Sequence, residues 1–347
     1  MASPALEEYQ IGWICALPIE AAAAQEMLDE HFGTLEDQDN ADTNTYKLGR
    51  MGKHYVVIAC LGGHYGTASA TIAANNMMRT FFKSLRIGLM VRIAGGIPSA
   101  ANDIRLGDVV ISHPTHTCGG VLQHDMGKIS EDGKLTRTGS MNRPPRLLLT
   151  AVNNMRAAEL TSDPCYLSYI NKVIQRNRRT RQNFSRPDPR YDRLFQIQYD
   201  HPSDSATCDG CLAEWEVERD EREDHNPQSH YGIIASGNAV IKHGGVRERL
   251  RKETGALCFD MDPAGLMLEF PCIVVRGICD YSDSHKNKQW QGYAALVAAA
   301  YARELLGYVP RGQVSHEKLV AEISKWHLSE SAVISAQDRS LLTFFFL

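Results

Sequence analysis

Residues 9–32 read YQIGWICALPIEAAAAQEMLDEHF, and this stretch decides what kind of fold the chain can adopt. Tyr9 to Leu17 is a short apolar run of strand length. Pro18 follows, in a position tolerated in the first turn of a helix. The alanine-rich segment IEAAAAQEMLDEHF then has high helix propensity, which predicts a helix over 19–32. A strand that hands directly to a helix is the repeating unit of an α/β sheet.

Further along, the same alternation recurs. TYKLGRMGKHYVVIACLGG (45–63) reads as a hairpin turning at Gly52, and TASATIAANNMMRTFF (67–82) as a helix of small and apolar residues. IGLMVRIAGGIP (87–98) is a strand running into a Gly-Gly turn, and DIRLGDVVISHP (103–114) is a turn followed by a strand. Between about 160 and 228 the character changes. A basic stretch, NKVIQRNRRTRQNFSRPDPRYDRL (171–194), and an acidic one, WEVERDEREDHNPQ (215–228), predict an insertion made largely of loops. Regular structure returns with YGIIASGNAV, the helix RERLRKETG with its glycine stop, the strand CIVVRGICD and the closing helix WQGYAALVAAAYARELLGYV. Strands alternating with helices predict an α/β fold with a mostly parallel sheet. A main domain over 1–310 is followed by a tail (311–347) with one more helical stretch, HEKLVAEISKWHL, and the apolar ending SLLTFFFL; it reads either as a linker or as a helix packed on the core.

The totals agree with a globular protein. The chain has 347 residues, 43% of them hydrophobic and 22% charged, and a formal net charge of -4, which gives no sign of a nucleic-acid or lipid partner. No apolar run approaches the roughly 18 residues of a membrane span, and the N-terminal MASPALEEYQ does not resemble a signal peptide. Most of the nine cysteines lie inside apolar runs (Cys15, Cys60, Cys258, Cys272, Cys279), which suits reduced, buried thiols. The expectation is a cytoplasmic enzyme.

Several segments, taken in order, resemble the purine nucleoside phosphorylase/nucleosidase superfamily. IGWICALPIE is similar to the opening of 5'-methylthioadenosine/S-adenosylhomocysteine nucleosidases, and IAGG, LGDVVIS, IASGN, FDMDPAGLM and VRGICDYSD to their later motifs. LGGHYGTASA, DRLF, HYGIIASGN and CDYSDSHKNKQWQGYAA look most like the corresponding domain of fungal multidomain, immune-receptor-like proteins, some of which cleave ATP to adenine and ribose 5'-triphosphate. The resemblance covers roughly residues 9–308. It implies a single α/β domain with a central mixed β-sheet flanked by helices, a small-molecule purine nucleoside or nucleotide as ligand, no cofactor, no catalytic metal, and self-association as a homo-oligomer.

Cleaving a purine N-glycosidic bond needs an acid for the departing base, groups that hold the ribose and a nucleophile on the opposite face. Asp280, at the end of the strand CIVVRGIC, stands where an α/β sheet exposes residues to a ligand. The resemblance makes it the acid that protonates purine N7; Asp283 suits a helix cap. Glu20, in the first turn after Pro18, reads alone as favourable helix-dipole chemistry; the resemblance makes it the base that orients the attacking water, whereas phosphorylases use phosphate. Met261 and Asp262 fall where the family packs the sugar and binds its 2'- and 3'-hydroxyls, although Asp262 is one methylene shorter than the usual glutamate and is followed by Pro263. Asp260 reads as a structural carboxylate. Val240 and Ile241 mark the base pocket, Val240 replacing the usual phenylalanine, and Asn238 is expected at Asp280 or the purine edge.

Gly95 and Gly96 serve close backbone approach near the sugar, and the turn at Gly63 offers N–H groups to an anion or to the ribose 5' side. Arg92 stands where glycine is common and has two readings, a phosphate ligand or an obstruction of the pocket. The arginines of the insertion (Arg176, Arg178, Arg179, Arg181, Arg186, Arg190, Arg193) likewise read as a solvated face or as a 5'-polyphosphate site. Cys208 and Cys211 with His201 resemble part of a zinc site without an evident fourth ligand.

Overall fold

The computed structural model describes residues 4–323 apart from 64–65, 117, 132–134, 204, 206 and 269. Its centre is built from three strands whose residues are nearly all buried: β1 (Tyr9–Cys15), β5 (Ile87–Gly96) and β13 (Cys272–Asp280). They run parallel as β13-β5-β1, and strands covered on both faces require unbroken apolar sequence rather than alternation. The sheet continues from β1 through β4 (His54–Cys60), β3 (Tyr46–Met51) and β2 (Glu30–Thr34), and from β13 through β6 (Val109–Ser112) to β10 (Ser229–Gly232). The pairings β4-β3, β3-β2 and β13-β6 are antiparallel, so the sheet is mixed. Three short strands, β7 (Val121–Gln123), β11 (Ile234–Ser236) and β12 (Cys258–Asp260), branch off where β12 pairs antiparallel with Gly95 and Gly96 of β5. β8 (Gly127–Ile129) and β9 (Leu135–Arg137) form a separate hairpin.

Helices flank this sheet. α8 (Gln291–Gly307), almost wholly buried, packs on β13 and β5 and gathers α1 (Pro18–Glu26), α3 (Arg146–Glu159), α4 (Tyr166–Arg176) and α5 (Arg178–Phe184) around it. α2 (Thr67–Thr80) packs with α7 (Pro263–Met267), and α6 (Gly244–Thr254) ends at Gly255 in the left-handed conformation, as the glycine stop predicts. Gly277 sets the α8–β13 distance: a Cβ there would lie 1.9 Å from the Ala294 carbonyl oxygen. A last short helix, α9 (Arg311–His316), and the residues after it bury Val314 and Val320 in the same core. The apolar ending SLLTFFFL and the second half of HEKLVAEISKWHL lie outside the described residues. Among the described residues no helix is long and apolar enough to cross a membrane, and all nine cysteines are unpaired.

Three sequence expectations are corrected here. The helix predicted over 19–32 ends at Glu26, and residues 30–34 become edge strand β2. Tertiary contacts decide this: the Asp29 N–H donates to the Arg50 carbonyl (2.8 Å), its carboxylate accepts from Gly52 N–H and Arg303 (2.6 Å each), and Glu30 pairs with Arg50. The Gly-Gly of IAGG is not a turn but the end of β5. The insertion is not largely loop in its first third. Tyr166, Ile170 and Val173 of α4 bury one face at helical spacing, and Asn177 caps α5 by accepting from the Thr180 N–H (3.0 Å) while the Thr180 hydroxyl oxygen accepts from the Asn177 N–H (3.2 Å). Only from about 185 to 228 is the chain irregular.

That irregular part is tied down by charge. Arg222 donates two 2.8 Å bonds to Asp108 at the head of β6, and His230 lies 2.9 Å from the same carboxylate. Burial works against the charged form, but Arg222 and His230 outweigh it and hold Asp108 below the usual carboxylate range. A carboxyl lowered on folding contributes stability above about pH 4 that is lost as pH falls through its folded value. Denaturant unfolding followed from pH 6 to pH 3 should show this decline, and Asp108→Asn should flatten part of it. An unchanged slope in the variant would remove Asp108 from the account.

Candidate active site

The C-terminal ends of β5 and β13 meet at a cavity of about 150 Å³. Its wall includes Arg92 to Gly95 from β5, Phe259 to Met261 from β12 and its exit, Val240 and Ile241 from the loop after β11, and Cys279, Ser282 and Lys286 from the end of β13 and the loop beyond. The parallel β5–β13 pairing sets Arg92 beside Arg276 and Gly95 beside Asp280. Glycine is required at 95: a Cβ there would sit 2.1 Å from Ser282 Oγ and 2.6 Å from Asp280 Oδ1.

Asp280 is buried, accepts the Ser282 N–H at 2.9 Å and faces the Lys286 ammonium at 2.7 Å. Ser282 takes a positive φ of 55° to make that turn, a conformation costly for a non-glycine residue. Burial alone would pull Lys286 down, yet Asp280 and Cys279 outweigh it and hold the ammonium above the usual lysine value.

On the other side of Arg92 lies Glu20, also buried. Its Oε2 accepts from the N–H groups of Ala16 (2.8 Å) and Leu17 (2.9 Å), its Oε1 accepts from Ile93 N–H (2.9 Å), and Arg92 Nε is 3.6 Å away. Glu20 therefore both caps the start of α1 and stands in the carboxylate cluster. Asp262 is fully buried, receives the Gly66 N–H and forms a close ion pair with Arg92. Arg92 Nη1 also lies 3.8 Å from Asp260. Asp260 in turn is held by Arg276, which donates Nε–H at 2.6 Å and reaches the Met90 and Val275 carbonyls at 2.6 and 2.9 Å. Burial opposes the charge on Asp260, but Arg276 and Arg92 keep it below the usual carboxylate range, which fits the structural role expected of it.

Several expectations change against this geometry. Asn238 does not reach Asp280. Its Oδ1 accepts from the Thr67 hydroxyl (3.1 Å), and its own N–H donates to Asp125 (2.7 Å), so it ties the loop after β11 to the start of α2. Asp283 caps no helix; it accepts the His285 N–H (3.0 Å) and pairs with Arg247 (3.0 Å). Gly66 points its N–H at the protein's own Asp262. Gly63, exposed with φ of 88°, borders the undescribed residues 64–65. Gly96 faces Ile278 inside the sheet, not the cavity. Arg92 lies on the cavity wall with its guanidinium against Asp262 and Glu20, a placement that leaves both of its readings, phosphate ligand and obstruction, open.

None of the insertion arginines lines the cavity. Arg178, Arg179 and Arg181 are exposed on α5, Arg176 pairs with Glu26, Arg186 lies over Trp290, Arg190 over Tyr191, and Arg193 holds Glu216 and the Cys208 and Cys211 carbonyls. Sequence reasoning missed Lys286. Its signal, a lysine six residues after the strand-end aspartate, carries no periodicity and gains meaning only when the loop folds back.

No family model matches the chain. It is 51% identical over 306 residues to a nucleotide-binding leucine-rich repeat (NLR)-like protein of the fungus Hyaloscypha variabilis, covering 88% of this chain and 30% of that relative, so the chain spans about a third of its length. Among solved structures it is similar to futalosine hydrolase of Helicobacter pylori (TM-score 0.56, 15% identity, 86% of this chain and 98% of that one). It is similar too to the 5'-methylthioadenosine/S-adenosyl homocysteine nucleosidase of the same bacterium in complex with a substituted pyrrolidin-3-ol (TM-score 0.55, 15% identity, 86% and 98%). The nucleosidase of Neisseria meningitidis with methylthio-immucillin-A gives a TM-score of 0.54 at 16% identity over 86% and 98%. With a mixed sheet flanked by helices and its strand ends opening on one cavity, the chain has the α/β fold of these nucleosidases.

Proposed function

We propose that this cavity hydrolyses the N-glycosidic bond of a purine nucleoside or nucleotide, with Asp280 as acid and Glu20 as the base that orients water. The observation that carries the reading is the charge of the cluster around the cavity. Among the described residues, Glu20, Asp260, Asp262 and Asp280 face Arg92, Arg276 and Lys286, which leaves one net negative charge. A ribosyl group that becomes cationic as the bond breaks is stabilised by such a surplus, because fixed charges in a dry site act without reorganising. A phosphate nucleophile would be repelled by it.

In this reading Asp280 acts from its protonated form: the proton passes to N7 as the C1'–N9 bond breaks and its electron pair stays on the base, which restores the carboxylate. Lys286, 2.7 Å away, stabilises the carboxylate left behind. Water adds to C1' from the opposite face and loses a proton to Glu20, whose Oε1 accepts only the Ile93 N–H among the described groups and so keeps acceptor capacity. Met261, Val240 and Ile241 supply apolar wall for sugar and base. Asp262 binds the ribose hydroxyls only if Arg92 shares it, so the sugar contact is charge-assisted by the pair rather than made by a lone carboxylate.

The finer form of the proposal, adenine nucleotides up to ATP, is supported by the sequence likeness to fungal receptor-like proteins. The runner-up is phosphorolysis, favoured by one observation, Arg92 on the cavity wall beside Glu20. Product analysis with adenosine, inosine, methylthioadenosine and ATP, each with and without phosphate, separates the readings. Free ribose or ribose phosphates without phosphate dependence, abolished by Glu20→Gln, is the expected result. Strict phosphate dependence with ribose 1-phosphate as product would replace hydrolysis with phosphorolysis, and binding without any product would make the domain a nucleoside sensor.

A further inference from the structure

His201, Cys208 and Cys211 come from an irregular part of the insertion, separated by six and two residues, yet the fold gathers their ligand atoms within 4.8 Å of one another. The Cys208–Cys211 segment is one tight turn: the Cys211 N–H donates to the Cys208 carbonyl (3.0 Å), and Arg193 grips both carbonyls. The thiols therefore project from a clamped turn and not from a loose loop. The His201 ring has nitrogens 2.9 Å from the Pro202 carbonyl and 3.1 Å from the Thr207 carbonyl. A neutral imidazole has one N–H and can satisfy only one of these acceptors, leaving its other nitrogen lone pair against an oxygen.

A fourth group stands beside them. His285 is 8% exposed, its ring 5.4 Å from that of His201 and stacked on Phe195 at 4.1 Å. Its carbonyl lies 3.7 Å from Cys208 Sγ. Its Nδ1 is 3.6 Å from Asp283, beyond hydrogen-bond reach, and neither ring nitrogen has a hydrogen-bond partner among the described residues. A buried imidazole with both nitrogens unpartnered has a lone pair free for a metal, and Asp283 stands close enough to take up the other N–H once the ring turns.

We propose that His201, Cys208, Cys211 and His285 bind one zinc ion, stapling the insertion to the loop that carries Lys286. Two thiolates and two imidazoles are a tetrahedral structural set. Metal–ligand bonds of about 2.0–2.3 Å bring neighbouring ligand atoms to within roughly 4 Å, so His201, Cys208 and Cys211 close in only modestly when the site loads, while the His285 ring, outside their 4.8 Å group, turns in to complete the set. The site lies apart from the cavity lining, so metal content tests it independently of any turnover.

The test is elemental analysis of the full chain purified in zinc-supplemented medium and desalted into metal-free buffer, followed by cobalt exchange. One zinc per chain and the intense visible bands of tetrahedral cobalt with thiolate ligands are expected. His285→Gln, which keeps ring-sized bulk and folding, should weaken zinc at least tenfold in competition with a chromophoric chelator, and Cys208→Ser should abolish the cobalt-thiolate absorption. Should Cys208→Ser fail to fold, as judged by circular dichroism, the cobalt spectrum of the unaltered chain decides alone. Substoichiometric zinc without cobalt bands, or a Cys208–Cys211 disulfide in thiol titration, overturns the proposal. Unchanged affinity in His285→Gln overturns the assignment of the fourth ligand.

Discussion

Asp280→Asn should lower the rate of base release by about two to four decades while thermal unfolding stays near that of the unaltered chain. The amide keeps the shape and can still accept the Ser282 N–H, now made at 2.9 Å. What it loses is the proton that must reach the base and the ion pair to Lys286. The Lys286 ammonium it leaves behind stays in reach of water, since that side chain is 28% exposed. Single-turnover measurement of free base, beside a melting curve, separates chemistry from folding. Near-normal turnover would take Asp280 out of the acid role. Equal losses of rate and stability would instead mark it as a structural carboxylate of the β13 turn.

The second large effect concerns folding. Arg276→Met should destabilise the domain by about 3–5 kcal/mol. Arg276 is completely buried, and its removal strands the Asp260 carboxylate and the Met90 and Val275 carbonyls without their donor. Arg92 cannot take over, since it is already bound to Asp262 and reaches Asp260 only at 3.8 Å. The double change Arg276→Met with Asp260→Leu should recover a good part of the loss, because removing both charges removes the unpaired one. Denaturant unfolding of the two variants measures this. A single-variant loss below about 1 kcal/mol, the size of a surface pair, would show that the cluster rearranges to cover the carboxylate.

The sequence was most legible where one local signal sufficed. The buried strands were visible as unbroken apolar runs, the hairpin turned at Gly52, α6 stopped at Gly255 and α8 ran the length of its alanine-rich segment. The insertion was misread because charge dominates its composition. The fully buried positions of α4 are only Tyr166, Ile170 and Val173, and the cap of α5 is an asparagine–threonine pair rather than the usual serine–glutamate. For β2 no local signal was at fault. Helix propensity through residue 32 lost to the antiparallel pairing with β3, a contact made by residues far apart in sequence.

By itself the sequence determined the α/β class, the order of the central elements and the strand-end position of Asp280, because hydrophobic periodicity and breaker residues are local properties of a chain. Only the tertiary structure decided what each charge does. Arg92 faces Glu20 and Asp262, Lys286 folds back onto Asp280, and Gly66 turns its N–H to Asp262, although these partners lie up to 196 positions apart. The same holds for His201, Cys208 and Cys211, whose ligand atoms the fold gathers within 4.8 Å of one another. A buried charge takes its role from whichever opposite charge or donor shares its low-dielectric surroundings. That neighbour is chosen by the folding of the sheet, not by position along the chain.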